Sequence, residues 1–288
     1  MKERIVLGAD IGGSHITVSA VDLGLGKVVE DSHARSHVNA HAPAGQIIEE
    51  WCSGFSSIID QYPGREVRIG IAMPGPFDYE QGISYIKGLA KYESLYGLNV
   101  KEMLAEHLKL PAHHFKFKND AACFLQGEIV AGTAGPVKHA IGITLGTGIG
   151  TARYHDGVAQ DADLWRLPFK NSFAEEYLAT RWFVKRYTEL TGKQVKDVRE
   201  LLSLKDEQHV VSQMFAEWSS DFSAFLAHFI ELDKPEAIII GGNVAKASDH
   251  FLPQVVDNLK KRSLHVPIIK ASAGENAAIL GAASCWFE

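Results

Sequence analysis

Asp10, Gly12, Gly13 and Ser14 stand together in "LGADIGGSHITVSAVD", directly behind an apolar run. Two glycines let backbone N–H groups approach an anion closely, and the Ser14 hydroxyl adds a donor. Asp10 would repel a phosphate unless a hydrated Mg2+ lay between them. The spacing is not that of a Walker A loop, and this turn joins two strands instead of opening a helix. A hairpin that uses glycine for positive φ accounts for the same residues, so both readings stay open on this stretch alone.

Two more glycine turns follow buried strands. In "LGTGIG", Thr147 and Gly148 could grip a phosphate from another side, and "IIIGGNV" sets Gly241, Gly242 and Asn243 between a strand and a helix. In open α/β sheets ligands bind beyond the carboxyl ends of strands, and a tight Gly–Gly pair lets a base or ribose pack on backbone. In "FKFKNDAACFLQGE", Asn119 and Asp120 fall where a strand stops and a helix starts. Asp120 reads either as a helix cap or as a general base for an attacking hydroxyl, which the helix dipole keeps charged. Asn119 can donate and accept, which suits a polyol. His33, His37 and His41 have metal-like spacing, but along extended chain they lie ~13 Å apart and cannot share one ion.

The elements that would position these residues alternate between strand and helix. Strands are expected at 5–9, 16–22, 27–33, 67–72, 115–118, 140–145 and 237–242, with one more ending at 155. Helices are expected at 43–62, 100–109, 120–134, 248–262 and 276–287, with two or three more over 172–232; the aromatic helix around Trp218 reads as core. "VLGADIGGSHITVSAVDLG" and "AIGITLGTGIGTARYHDG" share one layout, a buried strand, a small glycine turn with a hydroxyl residue, then a second strand. They suggest two related α/β halves.

Bulk properties narrow the classes. At about 100–200 residues per domain, 288 residues fit one or two domains. A net charge of −6 leaves no basic footprint for nucleic acid and disfavours a polyanionic main partner. Cys52, Cys123 and Cys285 are far apart with no CxxC, as in a reducing compartment without a cysteine zinc site. No signal peptide or membrane span is apparent, so a cytoplasmic protein is expected.

Together these residues resemble the ROK family of sugar kinases and repressors, within the actin-like, hexokinase-like ATPases. "DIGGSHI" is similar to the first phosphate motif D-I-G-G-T-K, and "GIAMPGPFDYEQG", with Gly75, to the P-G-x-(V/F)-D segment. "NDAACFLQGE" is similar to N-D-A-N-A-A-x-x-G-E, "LGTGIGTA" to the second phosphate motif, and "IIIGGNV" to the adenosine motif. "GAAS" resembles the closing G-A-A helix.

The resemblance implies a two-lobed α/β fold of actin-like (ribonuclease H-like) type, with duplicated domains and a central nucleotide cleft. Its lobes would be 1–118, with helix 276–288 packing back on it, and 119–275. It implies Asp120 as catalytic base and Asn119 and Gly75 at the sugar. Asp10, Gly12, Gly13, Ser14, Thr147 and Gly148 would hold phosphates and Mg2+, with Asp10 acting on the ion through water. Gly241, Gly242 and Asn243 would hold the nucleoside. The family's regulators carry an N-terminal helix-turn-helix, whereas this sequence opens on the first strand, which argues against DNA binding. A homodimer is a family expectation.

One stretch departs from the pattern. Where the family has E-I-G-H and a cysteine zinc loop, this sequence has "DADLWRLPFKNSFAEEY". Asp163 then stands for the sugar-binding Glu, Arg166 for the His that binds sugar and zinc, and Glu175 for the glutamate after the loop, so that the resemblance implies all three at the sugar. His15 replaces the Lys after the first turn. Guanidinium stays protonated, so no zinc is expected. Arg166 would bring charge to the sugar pocket or close it by pairing with Asp163 or Glu175. The expected activity is ATP-dependent phosphorylation of a hexose hydroxyl, glucose or a related sugar, with ATP and Mg2+ as cofactors. The alternatives are a polyphosphate-dependent glucokinase and a non-catalytic sugar or nucleotide sensor of the same fold.

Overall fold

A computed structural model describes residues 3–88 and 91–287. The chain divides into two compact units, residues 1–133 with 272–288, and residues 134–271. The first unit begins with β1 (Arg4–Ile11), β2 (His15–Asp22) and β3 (Lys27–His37), then α1 (Ala44–Ile59) and β4 (Glu66–Met73). A small hairpin, β5 (Phe77–Asp78) and β6 (Ile83–Ser84), leads to α2 (Val100–Leu108), β7 (Phe115–Asn119) and α3 (Asp120–Val130). The strands form one sheet in the order β3-β2-β1-β4-β7. β1, β2 and β3 are antiparallel neighbours, whereas β1, β4 and β7 run parallel. Leu7, Ala9 and Ile11 are buried because β1 lies mid-sheet, and Trp51 and Phe55 of α1 fill the core beside them.

The second unit repeats this plan. It contains β8 (His139–Leu145), β9 (Ile149–His155), β10 (Val158–Asp161), β11 (Pro168–Phe169), β12 (Ser172–Phe173), α4 (Ala174–Leu178), α5 (Thr180–Thr191), α6 (Val198–Ser203), α7 (Gln208–Asp233), β13 (Ala237–Gly241), α8 (Leu252–Lys261) and β14 (Ile268–Lys270). Its main sheet runs β10-β9-β8-β13-β14, with β8, β9 and β10 antiparallel and β8, β13 and β14 parallel. Strand for strand, this is the order and direction of the first sheet, so the duplication suggested by the two glycine hairpins extends over five strands in each unit. Phe183, Phe215, Trp218, Phe222 and Phe251 are buried in one cluster. Trp218 is therefore core, on a helix stopped by Lys234 in the left-handed region (φ 47°) and then Pro235.

The division does not fall at 118/119. α3 belongs to the first unit because it packs against α9 (Asn276–Ala283), which also lies on β1 and β4. Buried Glu128 on α3 ties the returning chain down, accepting the N–H groups of Ser272 at 2.9 Å and Ala273 at 3.1 Å. Several element ends differ from the pattern, two of them for a visible reason. β3 continues to His37 because it stays paired with β2, and α3 ends at Val130 before Gly132 turns left-handed (φ 80°). Among the described residues no helix is long and apolar enough to cross a membrane.

Candidate active site

The residues singled out in the first unit collect at the carboxyl ends of its parallel strands. Asp10 sits near the end of β1, Gly75 lies just past β4, and Asn119 and Asp120 end β7 and begin α3. The turn 12–14 joins β1 to β2 without the geometry that would demand glycine. Neither Gly12 nor Gly13 has positive φ. A Cβ at Gly12 would meet nothing nearer than the His15 oxygen at 3.5 Å, and one at Gly13 only the Lys91 Cδ at 3.9 Å. The hairpin explanation, which needs glycine for positive φ, is therefore not what this turn shows, and neither glycine is required by the protein packed around it.

The backbone groups of the turn are unevenly engaged. The Gly12 N–H is used inside the turn, donating to the His15 carbonyl at 2.9 Å. The Gly12 carbonyl, which would repel an anion, is tied back by the hydroxyl of buried Tyr92 at 2.5 Å. Among the described residues the N–H groups of Gly13 and Ser14 donate to no protein acceptor. Ser14 Oγ lies 2.8 Å from His15 Nδ1. A cavity of about 270 Å3 opens beside the turn, lined among others by Asp10, Thr17, Arg35 and Glu275.

The Asp10 carboxyl is pushed up to about 6, first by burial and then by the Asp120 carboxylate. Arg35 pulls it down and Glu275 pushes it up by lesser amounts. Two carboxylates near enough to influence each other are a hard oxygen donor set, which fits an ion such as Mg2+ that keeps several waters. The raised value means that the folded chain holds the Asp10 proton more tightly than the unfolded chain does, up to about pH 6, above which the carboxylate predominates. The stabilising contribution of that proton is thus present at acid pH and is lost as pH rises through about 6. We expect Asp10→Asn to be more stable than wild type by about 1–3 kcal/mol above pH ~6, the difference vanishing below pH ~4. Paired thermal melts across that range check this; an equal offset at every pH would contradict it.

Asn119, not Asp120, is the cap of α3. Its Oδ1 accepts the Ala122 N–H at 3.0 Å and its Nδ2 donates to the Tyr79 hydroxyl at 3.2 Å. Asp120 Oδ1 accepts only the neighbouring Ala121 N–H, at 2.9 Å among the described residues. The cap is thus supplied without Asp120, whose carboxylate is left for chemistry. Tyr79 also donates to the Met73 carbonyl, and a Cβ at Gly75 would press its hydroxyl at 3.2 Å. Sequence reasoning did not single out Tyr79 or Tyr92, since a lone tyrosine carries no positional signal.

In the second unit, turn 146–148 is braced like its counterpart. The Gly146 carbonyl accepts the Thr180 N–H at 2.9 Å and hydroxyl at 2.8 Å. Thr147 is exposed at the tip. Glu175, expected at a sugar hydroxyl, has both oxygens engaged within this unit. Oε2 takes the Ile149 N–H at 3.0 Å and Oε1 takes Arg181 at 2.9 Å. A Cβ at Gly148 would strike Glu175 Oε2 at 2.5 Å, so this glycine leaves room for the carboxylate. Gly242 has φ +90° and a Cβ there would lie 2.4 Å from the Leu145 carbonyl, which forces glycine between β13 and β8. Gly241 pairs with Thr144 inside the sheet, and Asn243, exposed, accepts from Lys246 Nζ at 3.0 Å.

Arg166 pairs with Asp163 at 3.2 Å, while Glu175 is taken by Arg181. The Arg166 and Asp163 side chains are 59% and 52% exposed, and such pairs contribute about 0–1 kcal/mol. Among the described residues no cluster of three or more His, Cys, Asp or Glu is disposed to hold a metal.

The two sheets share one strand order, an α/β arrangement of the actin-like, ribonuclease H-like fold. The ROK family model matches residues 6–165 and 171–288, and the chain belongs to the ROK family. The match breaks at 166–170, inside the stretch that departs from the family pattern. The glucokinase of Thermotoga maritima is 25% identical over 99% of this chain and 98% of its own. The polyphosphate glucokinase of Mycobacterium leprae is 24% identical over 96% of this chain and 72% of its own. The ROK hexokinase structure from Thermus thermophilus superposes with a TM-score of 0.81 at 20% identity, covering 97% of this chain and 96% of that one.

Proposed function

We propose that the protein is a phosphotransferase that moves a phosphoryl group from ATP to a hydroxyl of a hexose. The observation that carries this reading is the pair of glycines at 12 and 13, which the backbone does not need. Asp120 takes the proton of the attacking hydroxyl as its oxygen bonds to phosphorus and the donor's terminal P–O bond breaks. Asn119 holds a sugar hydroxyl with whatever bonding capacity its cap leaves. The Gly13 and Ser14 N–H groups, the Ser14 hydroxyl, Thr147 and Gly148 bind phosphate oxygens. Gly241, Gly242 and Asn243 form the nucleoside wall. Asp10 would hold Mg2+, which would supply charge neutralisation on the phosphates. Asp163, Arg166 and Gly75 are the remaining sugar-side candidates, with Glu175 acting through the turn it braces.

A second reading is that the donor is polyphosphate, favoured by the match over 96% of this chain to the Mycobacterium leprae relative. The test is phosphate transfer over a panel of hexoses, hexosamines and polyols with each donor. Sugar phosphate formed with ATP supports the first reading, and product with polyphosphate alone supports the second. Calorimetric sugar binding with no transfer from either donor would instead indicate a sensor. We further expect Gly13→Ala to leave stability within about 0.5 kcal/mol while raising the KM for the donor about tenfold. Chemical unfolding and steady-state kinetics check the two halves; an unchanged donor KM would remove the turn from the site.

A further inference from the structure

The cavity beside the first turn holds a cation that the reaction above does not use. Thr17 is the register partner of Asp10 on β1 and of Arg35 on β3. Directly opposed residues share a face of the sheet, so Asp10, Thr17 and Arg35 form one row across three strands. At about 4.8 Å per strand, Arg35 starts about 10 Å from Asp10, within reach of a long side chain. Both line the cavity with the turn.

Arg35 Nη1 donates to Glu275 Oε2 at 2.6 Å, with the two side chains 45% and 74% exposed. A pair so open to water contributes about 0–1 kcal/mol, too little to make bracing the fold its main effect. A guanidinium has five N–H donors in a planar fork that matches phosphate, and Glu275 uses one of them. The other charged groups lining the cavity, Asp10 and Glu275, are acidic, so an anion on the turn needs compensation nearby.

We propose that Arg35 is a phosphate ligand of the 12–14 turn and that Glu275 is its resting counter-ion, competing with the phosphates for the guanidinium. This rests on the reading of that turn as a phosphate site. The experiment is calorimetric binding of inorganic tripolyphosphate, with magnesium chloride present, to wild type, Arg35→Met, Arg35→Lys and Glu275→Gln. Arg35→Met should weaken binding about 10–100-fold, with Arg35→Lys intermediate because it keeps charge but loses the fork. Glu275→Gln should tighten binding by up to about fivefold.

The opposite signs are decisive, because Arg35→Met and Glu275→Gln break the same ion pair. If both weaken binding alike, the pair is a structural brace and the proposal fails. It also fails if Arg35→Met binds as wild type does, or if wild type binds no tripolyphosphate. Thermal melts of each variant separate these results from unfolding. A wild type that binds tripolyphosphate through Arg35 yet phosphorylates no sugar would overturn the kinase reading and leave this one standing.

Discussion

Replacing Asp120 by Asn should lower kcat for sugar phosphorylation by about 10²–10⁴, with donor and sugar affinities held within about threefold. The substitution is nearly isosteric and removes the negative charge and with it the capacity to take a proton. α3 should survive it, because the cap is Asn119, whose Oδ1 on the Ala122 N–H is untouched. The helix-dipole contribution lost with the charge is about 0.3–1 kcal/mol. A second readout follows from the neighbouring carboxyl. The Asp120 carboxylate raises Asp10, so in Asp120→Asn the pH at which Asp10 titrates should fall. Pre-steady-state phosphoryl transfer and the pH dependence of unfolding together test the assignment. Turnover near wild type with intact donor binding would sink Asp120 as the base.

What the sequence made legible was local. Each glycine turn lies in a few adjacent residues behind an apolar run, and each was found where expected. Whether Asp120 caps α3 stayed open in the sequence, and the adjacent Asn119, read there only as a polyol ligand, is a residue type that caps helices equally well. Only the bond to the Ala122 N–H separates them. The part played by Glu175 depends on Arg181 and on the Ile149 N–H. The first lies on the next helix and the second 26 residues earlier at the start of β9, so no spacing rule marks the set. The two-residue strands β11 and β12 are too short for any periodicity to show. The unit boundary was misplaced for a further reason. Gly127 in "NDAACFLQGE" and Gly281 in "GAAS" entered as pieces of motifs, and motifs suggest ligands. The structure gives both a packing task, which joins α3 to a helix some 150 residues later in the chain.

That packing task leads to the largest expected loss of stability. A Cβ at Gly127 would lie 1.8 Å from the Ala277 carbonyl oxygen, and one at Gly281 would lie 1.8 Å from that of Cys123. The helices α3 and α9 therefore touch backbone to backbone at two reciprocal points, and neither obstacle is a side chain that could rotate away. Alanine is the better helix former by about 1 kcal/mol, so propensity alone predicts that Gly127→Ala and Gly281→Ala stabilise. Forced separation of the two helices should reverse that sign and cost about 3 kcal/mol or more net. Gly45, near the start of α1, supplies the control, since a Cβ there would meet nothing within 4 Å. Gly45→Ala should be neutral or stabilising by up to about 1 kcal/mol. Urea unfolding of the three variants decides between propensity and packing, and a stabilised Gly127→Ala would show that the helices can part at little cost. Because α3 begins at Asp120, whichever variants still fold should also lose turnover in proportion to how far the helix is displaced, without any change at the phosphate turn itself.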